Sequence, residues 1–234
     1  MNKIPKIIHQ IWGGEKELPK SYQILSETWR RDYPDWQYEF WDDKRINEFV
    51  LKNYPEYYDQ FLAFPHNMQR WDSVRYFIME QIGGMYVDFD FQSMKPITPL
   101  IQGQECCFAL DPETHCGFPQ KVWMLNAALM LSIPHHWFVR KIIKEVFSKQ
   151  TPTNDKRPKS IQIFTSAGPW MLIDLYYRLN TMERNKICLL SDKYVSPFDC
   201  RQSQRYIKGE MSEEESRLRL RQAYAVHYFF GDWR

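Results

Sequence analysis

The chain has 234 residues, of which 44% are hydrophobic and 16% aromatic, enough to build the core of one large α/β domain. Its formal net charge of +2 does not indicate a nucleic-acid-binding protein. Because no run of about 18 apolar residues occurs and the N-terminal segment has no signal-peptide pattern, we expect a cytoplasmic protein without a membrane span.

Hydrophobic periodicity and turn residues predict strands that alternate with helices. Strands are expected at 4–12, 36–43, 85–91 and 105–110, with a late strand within 187–199. Helices are expected at 19–31, 43–51, 54–64, 67–82, 135–150 and 168–180, and the charged segment 201–222 suits a solvated helix. Residues 121–131 suit a helix or a strand–helix junction. This order indicates an α/β fold with a mixed, mostly parallel central sheet.

The cysteines have no C-x-x-C spacing and are odd in number, which indicates reduced thiols in a cytoplasmic protein. They lie at positions 106, 107, 116, 188 and 200. A zinc site from Cys106, Cys107, His115 and Cys116 is an alternative, but this spacing fits no common zinc pattern.

The stretch 83–92, GGMYVDFDFQ, places two aspartates one residue apart in an otherwise apolar run. Side chains alternate along a strand, so Tyr86, Asp88 and Asp90 are expected on one face and apolar residues on the other. Ligands bind at the C-terminal ends of strands in open α/β sheets. Two carboxylates there suit Mg²⁺ or Mn²⁺ held together with a nucleotide. The alternative is a pair of solvated aspartates at a sheet edge.

The clearest predicted helix, 67–82, carries Asp72 and Arg75 at positions i and i+3. From this spacing alone, an ordinary surface ion pair is favoured, and such a pair contributes little to stability. Gly83-Gly84 is expected to end the helix, because glycine readily adopts φ > 0.

Three blocks occur in the order of a known family's motifs. Residues 66–91, HNMQRWDSVRYFIMEQIGGMYVDFDF, contain D-x-x-R-Y followed by G-G-x-Y-x-D-x-D. The opening block is IPKIIHQIWGG, and the closing block HYFFGDW is similar to a terminal H-x-x-x-G-S-W. Together the blocks resemble glycosyltransferase family 32, which includes yeast Golgi α-mannosyltransferases and bacterial capsular-polysaccharide sugar transferases. That family is related to the large clostridial glucosylating toxins.

The resemblance implies one GT-A domain over residues 1–234, a Rossmann-like fold that binds a nucleotide sugar. It implies transfer of a hexose with retention of anomeric configuration, with Mn²⁺ (or Mg²⁺) as the metal. A UDP-sugar is favoured over a GDP-sugar as the donor. The expected acceptor is a hydroxyl of a glycan or lipid-linked glycan, as in bacterial surface polysaccharide synthesis.

The resemblance also implies roles for residues of the central block. Asp90 is the expected direct metal ligand, and Asp88 is expected to contact the donor ribose or sugar, or the metal through water. Tyr86 is expected beside the donor phosphates or sugar. Asp72 and Arg75 are expected to grip the sugar hydroxyls of the donor, since a planar guanidinium fixes several acceptors at once.

Outside the central block, Trp12 is expected to stack on the nucleotide base, with a core tryptophan as the alternative. Asn126 is expected near the donor sugar. His9 is interpreted as a hydrogen-bonded structural histidine rather than a catalyst.

The segment 223–234 is expected to close over the bound donor and exclude water. His227 is expected to complete the metal shell, and the indole N–H of Trp233 to bind the leaving phosphate. Where the family often has Gly-Ser-Trp, this chain has Gly231-Asp232-Trp233, so a serine-like phosphate contact at 232 is not carried over.

Front-face transfer is the default mechanism, because the sequence offers no second carboxylate that must serve as nucleophile. Two other classes stay open: a metal-dependent glycosidase or phosphohydrolase, and a catalytically inactive nucleotide-sugar-binding protein. Two aspartates on one strand face do not place an acid and a base on opposite sides of a scissile bond.

A lipid-linked acceptor fits a peripheral enzyme at the inner face of the cell membrane. Helix 135–150 could bind that surface, although packing on the sheet is the alternative that we favour.

Overall fold

The computed structural model describes residues 3–115, 124–148 and 155–231. Its strands are β1 (Ile7–Ile11), β2 (Gln37–Trp41), β3 (Gly84–Val87), β4 (Phe91–Ser93), β5 (Cys106–Leu110), β6 (Leu125–Ser132), β7 (Cys188–Leu190) and β8 (Ala225–His227). Its α-helices are α1 (Lys20–Asp32), α2 (Asp43–Asn53), α3 (Pro55–Leu62), α4 (Asn67–Gln81), α5 (Trp137–Ser148), α6 (Lys159–Ser166), α7 (Pro169–Tyr177), α8 (Thr181–Arg184), α9 (Asp192–Val195), α10 (Cys200–Ile207) and α11 (Glu213–Leu220). Short 3₁₀ helices lie at Thr98–Leu100 and Glu113–His115.

The central sheet has the strand order β2-β1-β3-β6-β5-β7. Strand β1 runs parallel to β2 and β3, and β7 runs parallel to β5, whereas β6 is antiparallel to both of its neighbours. This confirms the expected α/β fold with a mixed, mostly parallel sheet. A separate two-stranded sheet pairs β4 antiparallel with β8, and thereby brings residues 225–227 to the aspartate-containing stretch.

The prediction of one strand over 85–91 is wrong. The chain leaves the central sheet after Val87, where the N–H of Asp88 donates to Ala128 O at 2.7 Å. A turn closed by the N–H of Phe91 and Asp88 O (3.2 Å) follows, and β4 then pairs in the other sheet. The apolar/polar alternation continues through this break, so periodicity alone could not reveal it. Asp88 and Asp90 therefore do not share the face of a strand with Tyr86.

The structure also resolves the ambiguous and highly charged segments. Residues 125–131 of the ambiguous 121–131 region lie in β6 (Leu125–Ser132), which is buried along its whole length between β3 and β5. A strand buried on both faces shows no alternation, which explains why helix and strand could not be distinguished. The segment 201–222 forms the two short helices α10 and α11 instead of one, with Ser212 capping the second.

Helices cover both faces of the central sheet and bury two apolar clusters. On β6, Leu129 and Leu131 pack in one cluster with Trp29 of α1, whereas Met130 packs in the other with Phe77 of α4. The apolar residues of the amphipathic helix α5 lie in the second cluster, and this confirms the expected packing on the sheet. Within the described ranges, no helix combines the length and apolar character that crossing a bilayer requires.

Two glycines connect α4 to β3, as expected. Gly83 and Gly84 have φ of +69° and +104°, which other residues rarely adopt. A Cβ atom on Gly84 would lie 2.6 Å from Ile7 O, so β1 passes too close for any side chain. The tight junction fixes the Asp72–Arg75 helix against the strand that leads to Asp88.

Candidate active site

Asp72 and Arg75 lie inside the protein, next to the end of β3. Their relative exposures are 7% and 6%, so the surface ion pair that spacing alone favoured is wrong. Arg75 donates from Nη2 to Asp72 Oδ1, and its Nη1 lies 3.8 Å from Asp88 Oδ1. The guanidinium also lies 4.8 Å from the ring centroid of Tyr86. The helix α4 and strand β3 therefore bring together the sugar-site residues that the resemblance implied.

Arg75 still has one hydrogen-bond donor without a partner among the described residues, the buried Nε. An unpaired buried donor is unfavourable by about 1–3 kcal/mol. Tyr86 is buried and donates its hydroxyl to the same Asp88 oxygen that faces Arg75. Asp88 is thus held by two neighbours, while its side chain remains 31% exposed at the end of the sheet.

Asp90 is bound by the chain that follows β8. Its Oδ2 accepts from Phe230 N at 3.1 Å, and its main-chain O accepts from Tyr228 N at 2.9 Å. His227 Nε2 lies 3.3 Å from Asp90 Oδ1. The structure therefore places His227 beside Asp90, although the two residues are 137 positions apart in the numbering.

His227 is buried between two aromatic rings and a polar partner. The imidazole stacks on Phe91 with centroids 4.1 Å apart, and Phe229 packs on it at 3.7 Å. Asn126 Nδ2 lies 3.3 Å from His227 Nδ1. The ring therefore presents Nδ1 to Asn126 and Nε2 to Asp90.

Asn126 is itself held by the protein. It donates to Asp111 Oδ1 at 2.6 Å, and its Oδ1 accepts from Ala128 N at 2.7 Å. These contacts place it behind His227, and its role toward the donor sugar stays a prediction. Asp111 is a buried site residue that the sequence did not indicate, since it follows a strand without a recognisable motif.

The carboxylates have pKa values shifted in different directions. Burial raises the pKa of Asp72 to about 6, since Arg75 offsets the effect only in part and Asp88 adds to it. Removal from water also raises the pKa of Asp88; Arg75 opposes this shift and the charge of Asp90 increases it. Burial alone would raise the pKa of Asp90, but the charge and hydrogen bond of His227 hold it below its usual value. Asp90 is therefore the carboxylate that stays ionised most readily.

The chemistry of these groups fits a hard divalent cation. Asp90 is ionised, and Asp88 and His227 lie close to it in a site with excess negative charge. No three His, Cys, Asp or Glu side chains converge on one point in the part of the chain that the structure describes. This is compatible with Mg²⁺ or Mn²⁺ bound with a nucleotide, where one or two carboxylates suffice and phosphates and water supply the other ligands.

Of the two tryptophans expected to bind the donor, only Trp12 lies among the described residues. Trp12 is half-buried at the end of β1, where it contacts Tyr22 (5.3 Å between centroids) and the edge of Phe89 (6.1 Å). It donates from Nε1 to Lys16 O at 2.8 Å, and its stacking on a base stays a prediction. Trp233, like Asp232, lies outside the described residues.

His9 and the cysteines are accounted for by the fold. His9 is buried and bonded to Gly83 O and Trp41, and burial lowers its pKa to about 4, which confirms a structural histidine. Cys106 and Cys107 are free thiols buried in β5. The zinc alternative gains no support, because no cluster of three His, Cys, Asp or Glu side chains forms around these cysteines in the described residues, and Cys116 lies outside them.

Sequence comparison identifies relatives with related chemistry. A family model described as "Glycosyltransferase sugar-binding region containing DXD motif" matches residues 19–107. Inositol phosphoceramide mannosyltransferase 1 of Schizosaccharomyces pombe is 32% identical over 175 residues, covering 74% of this chain and 51% of the relative. A mannosyl phosphorylinositol ceramide synthase of Saccharomyces cerevisiae is 30% identical, covering 61% and 35%. The chain spans about half the length, or less, of these curated relatives.

Solved structures share the fold at low sequence identity. The PaToxG glycosyltransferase matches with a TM-score of 0.57 and 15% identity, covering 95% of this chain and 89% of that one. The apo-form glycosyltransferase GlyE of Streptococcus pneumoniae matches with a TM-score of 0.54 and 10% identity, covering 98% and 55%. Residues 19–107 therefore carry a glycosyltransferase sugar-binding region with a DXD motif, and the chain shares the fold of GT-A glycosyltransferases.

Proposed function

We propose that the chain transfers a hexose, mannose, from a nucleotide sugar to a hydroxyl of a glycan or lipid-linked glycan. The observation that carries this proposal is the convergence of the buried Asp72–Arg75 pair with the half-buried Asp88 and Asp90, where the central sheet meets the small one. Mannose is supported by the two relatives, an inositol phosphoceramide mannosyltransferase and a mannosyl phosphorylinositol ceramide synthase.

The nucleotide is the first variable to test. The motifs alone favoured a UDP-sugar, but mannosyltransferases usually use GDP-mannose. We therefore propose GDP-mannose as the donor to test first, with UDP-hexoses as the comparison. Trp12 is half-buried and packs against Tyr22, and this position suits stacking on either base.

The sugar would be held by the Asp72–Arg75 pair. Arg75 is fixed by Asp72 and by the ring of Tyr86, so its planar fork has little freedom left to lose when a ligand binds. Its unpaired Nε is a donor that a ligand could satisfy directly or through water.

Asp90 is the proposed direct metal ligand, with Asp88 and His227 completing the protein side of the shell. A bound Mn²⁺ or Mg²⁺ would offset the charge that develops on the departing nucleoside diphosphate. The contacts of Asp90 with Phe230 and His227 hold the C-terminal segment beside this position. That segment can therefore exclude water from the donor and so limit hydrolysis.

Retention by front-face transfer is part of the proposal. Asp88 already accepts a hydrogen bond from Tyr86 and faces Arg75, and both interactions lower its nucleophilicity. A slow substrate could trap a covalent glycosyl-enzyme on Asp88, and mass spectrometry of the protein would detect it. Such an intermediate would contradict front-face transfer and support a double displacement.

Thermal unfolding with GDP or UDP, with and without Mn²⁺, tests the metal-dependent donor site. We expect stabilisation only when nucleotide and Mn²⁺ are both present, and its loss in Asp90→Asn, which preserves shape and removes charge. Asp59→Asn, at an exposed position on α3, is the matched control and should behave like the wild type. Stabilisation that ignores the metal and survives Asp90→Asn would overturn the proposal.

Turnover separates a transferase from the two alternatives. Mass spectrometry of GDP-mannose and several UDP-hexoses, incubated with Mn²⁺ and a lipid-linked glycan or phosphoinositol-lipid acceptor, should show a product heavier by one hexose. Release of free sugar alone, at a rate that the acceptor does not change, would indicate a hydrolase. Binding without any turnover would indicate an inactive nucleotide-sugar-binding protein.

A further inference from the structure

Strand β1 carries two adjacent polar residues, His9 and Gln10, that are completely buried. Their side chains reach the two ends of the neighbouring strand β3. His9 Nε2 contacts Gly83 O at 2.9 Å, just before β3 begins. Gln10 Nε2 contacts Val87 O at 3.3 Å and Asp88 O at 3.5 Å, where β3 ends.

The side chain of Gln10 takes over where main-chain pairing between the strands stops. The parallel register of β1 and β3 includes Ile8 with Met85 and His9 with Tyr86, and goes no further. Beyond this register the strands diverge, and the Gln10 amide donates to the carbonyls of Val87 and Asp88, which β1 does not reach with its main chain. A buried carbonyl needs such a partner, so the amide stabilises the divergence that opens this end of the sheet.

One of the two carbonyls belongs to the turn that carries Asp90. Asp88 O accepts from the N–H of Phe91 at 3.2 Å, which closes the turn, and it also lies within reach of Gln10. The amide thus contacts the main chain of the first residue of the turn, and the side chain of that residue contacts Tyr86 and Arg75.

A second layer fixes which way the amide points. Tyr38 donates its hydroxyl to Gln10 Oε1 at 2.7 Å, and Ser26 Oγ lies 2.9 Å from the same hydroxyl. The guanidinium of Arg30 lies 3.8 Å above the Tyr38 ring. With Oε1 bound in this way, Nε2 must face Val87 and Asp88. A rotated amide would place its oxygen against two carbonyl oxygens.

We propose that Gln10, oriented by Tyr38, is a positioning residue that holds the Asp88–Asp90 turn in the geometry required to bind the metal and nucleotide. This inference rests on the proposed function for what the turn binds, but the effect of Gln10 on the turn is independent of it. Gln10 itself touches neither substrate nor metal.

The test uses Gln10→Leu, which fills similar volume without hydrogen bonds, and Tyr38→Phe, which frees the amide to rotate. Val146→Ala, at a buried position of α5, is the control that lowers stability away from the site. Calorimetry measures the affinity for GDP with Mn²⁺, and hydrogen exchange measures the opening of residues 86–93. Thermal unfolding measures the stability of each variant.

We expect Gln10→Leu to weaken the affinity for GDP with Mn²⁺ by about tenfold, as is typical for outer-layer partners of metal sites, and to speed exchange over 86–93. Tyr38→Phe should change both in the same direction by a smaller factor. Val146→Ala should lower the unfolding temperature and leave affinity and exchange over 86–93 unchanged.

A folded Gln10→Leu protein with wild-type affinity and wild-type exchange over 86–93 would overturn the inference, because Gln10 would then only fill space. If Gln10→Leu does not fold, Tyr38→Phe decides, and unchanged affinity and exchange there would contradict the inference. If the wild type binds no nucleotide with Mn²⁺, the proposed function fails. Hydrogen exchange over 86–93 then still decides whether Gln10 holds the turn.

Discussion

At the scale of single residues, the Asp72–Arg75 pair has a spacing that is common on solvated helices, yet it lies in the interior. A spacing of three residues places two side chains on one face of a helix but does not say which face is buried. Here almost the whole circumference of α4 is buried, so charged and apolar residues alike are enclosed. The motif resemblance assigned the pair to the donor site, which the spacing could not do.

The raised pKa of Asp72 predicts a specific pH dependence. The folded-state value of about 6 lies above the ordinary carboxyl value, so the folded protein binds the proton more tightly than the unfolded chain. The stability that Asp72 contributes is therefore lost as pH rises through this range, by about 3 kcal/mol at neutral pH for a shift of this size.

Asp72→Asn should remove this dependence. Urea unfolding at about pH 4 and about pH 7 should show the variant gaining stability relative to the wild type as pH rises. The same variant should bind the donor more weakly, since Arg75 loses its ionic partner. The exposed Asp59→Asn substitution provides the reference. A stability difference between variant and wild type that is equal at both pH values would show that Asp72 titrates normally.

At the scale of elements, local signals placed most helices well. The side chain of Asp42 accepts from Arg45 N at 2.8 Å and caps α2, a role that aspartate commonly has just before a helix. The prediction of one strand over 85–91 is wrong because the chain changes partner strand: its end pairs with β8, which is far away in the sequence. Alternation of side chains reports which faces are apolar, and it carries no information about a change of partner strand.

The Gly83-Gly84 junction allows conformational strain to be separated from close packing. Gly84→Ala would force alanine to adopt a φ of +104° and would place its Cβ 2.6 Å from Ile7 O. Gly103→Ala meets a φ of +77° with no atom within 4 Å of the new Cβ, so it measures the cost of conformation alone.

We expect Gly103→Ala to lower the free energy of unfolding by about 1 kcal/mol, and Gly84→Ala to lower it by at least about 2 kcal/mol more, because β1 must move away. Chemical denaturation of the two variants measures the difference. Equal losses would mean that β1 and β3 separate without cost and that the junction does not fix their spacing.

At the scale of the whole molecule, the site assembles from segments at the start, middle and end of the chain. Motif resemblance predicted that the central block and His227 belong together, and the pairing of β4 with β8 explains how. Gln10, Asp111 and the position of Asn126 behind His227 could not be predicted from the sequence. Their partners are distant in sequence, and a lone polar residue beside a buried strand has no local signature.

This assembly predicts how a ligand redistributes stability. Asp88 directly follows β3 of the central sheet, whereas Asp90 directly precedes β4 and lies beside His227 of β8 in the small sheet. A ligand that binds both carboxylates must hold the two sheets together, and it therefore slows every opening that separates them. At a free concentration 100 times its dissociation constant, a ligand stabilises by about 2.7 kcal/mol, which slows exchange through such openings by about 100-fold.

Hydrogen exchange with GDP and Mn²⁺ should therefore show protection at 88–93 and at 225–230 together, with little change in α11, which contributes no residue to the site. Asp90→Asn should lose the protection in both segments, because the link between them passes through this carboxylate. Protection confined to 84–88 would place the ligand on the central sheet alone. That result would leave His227 and the small sheet without a part in binding, even if the nucleotide binds tightly.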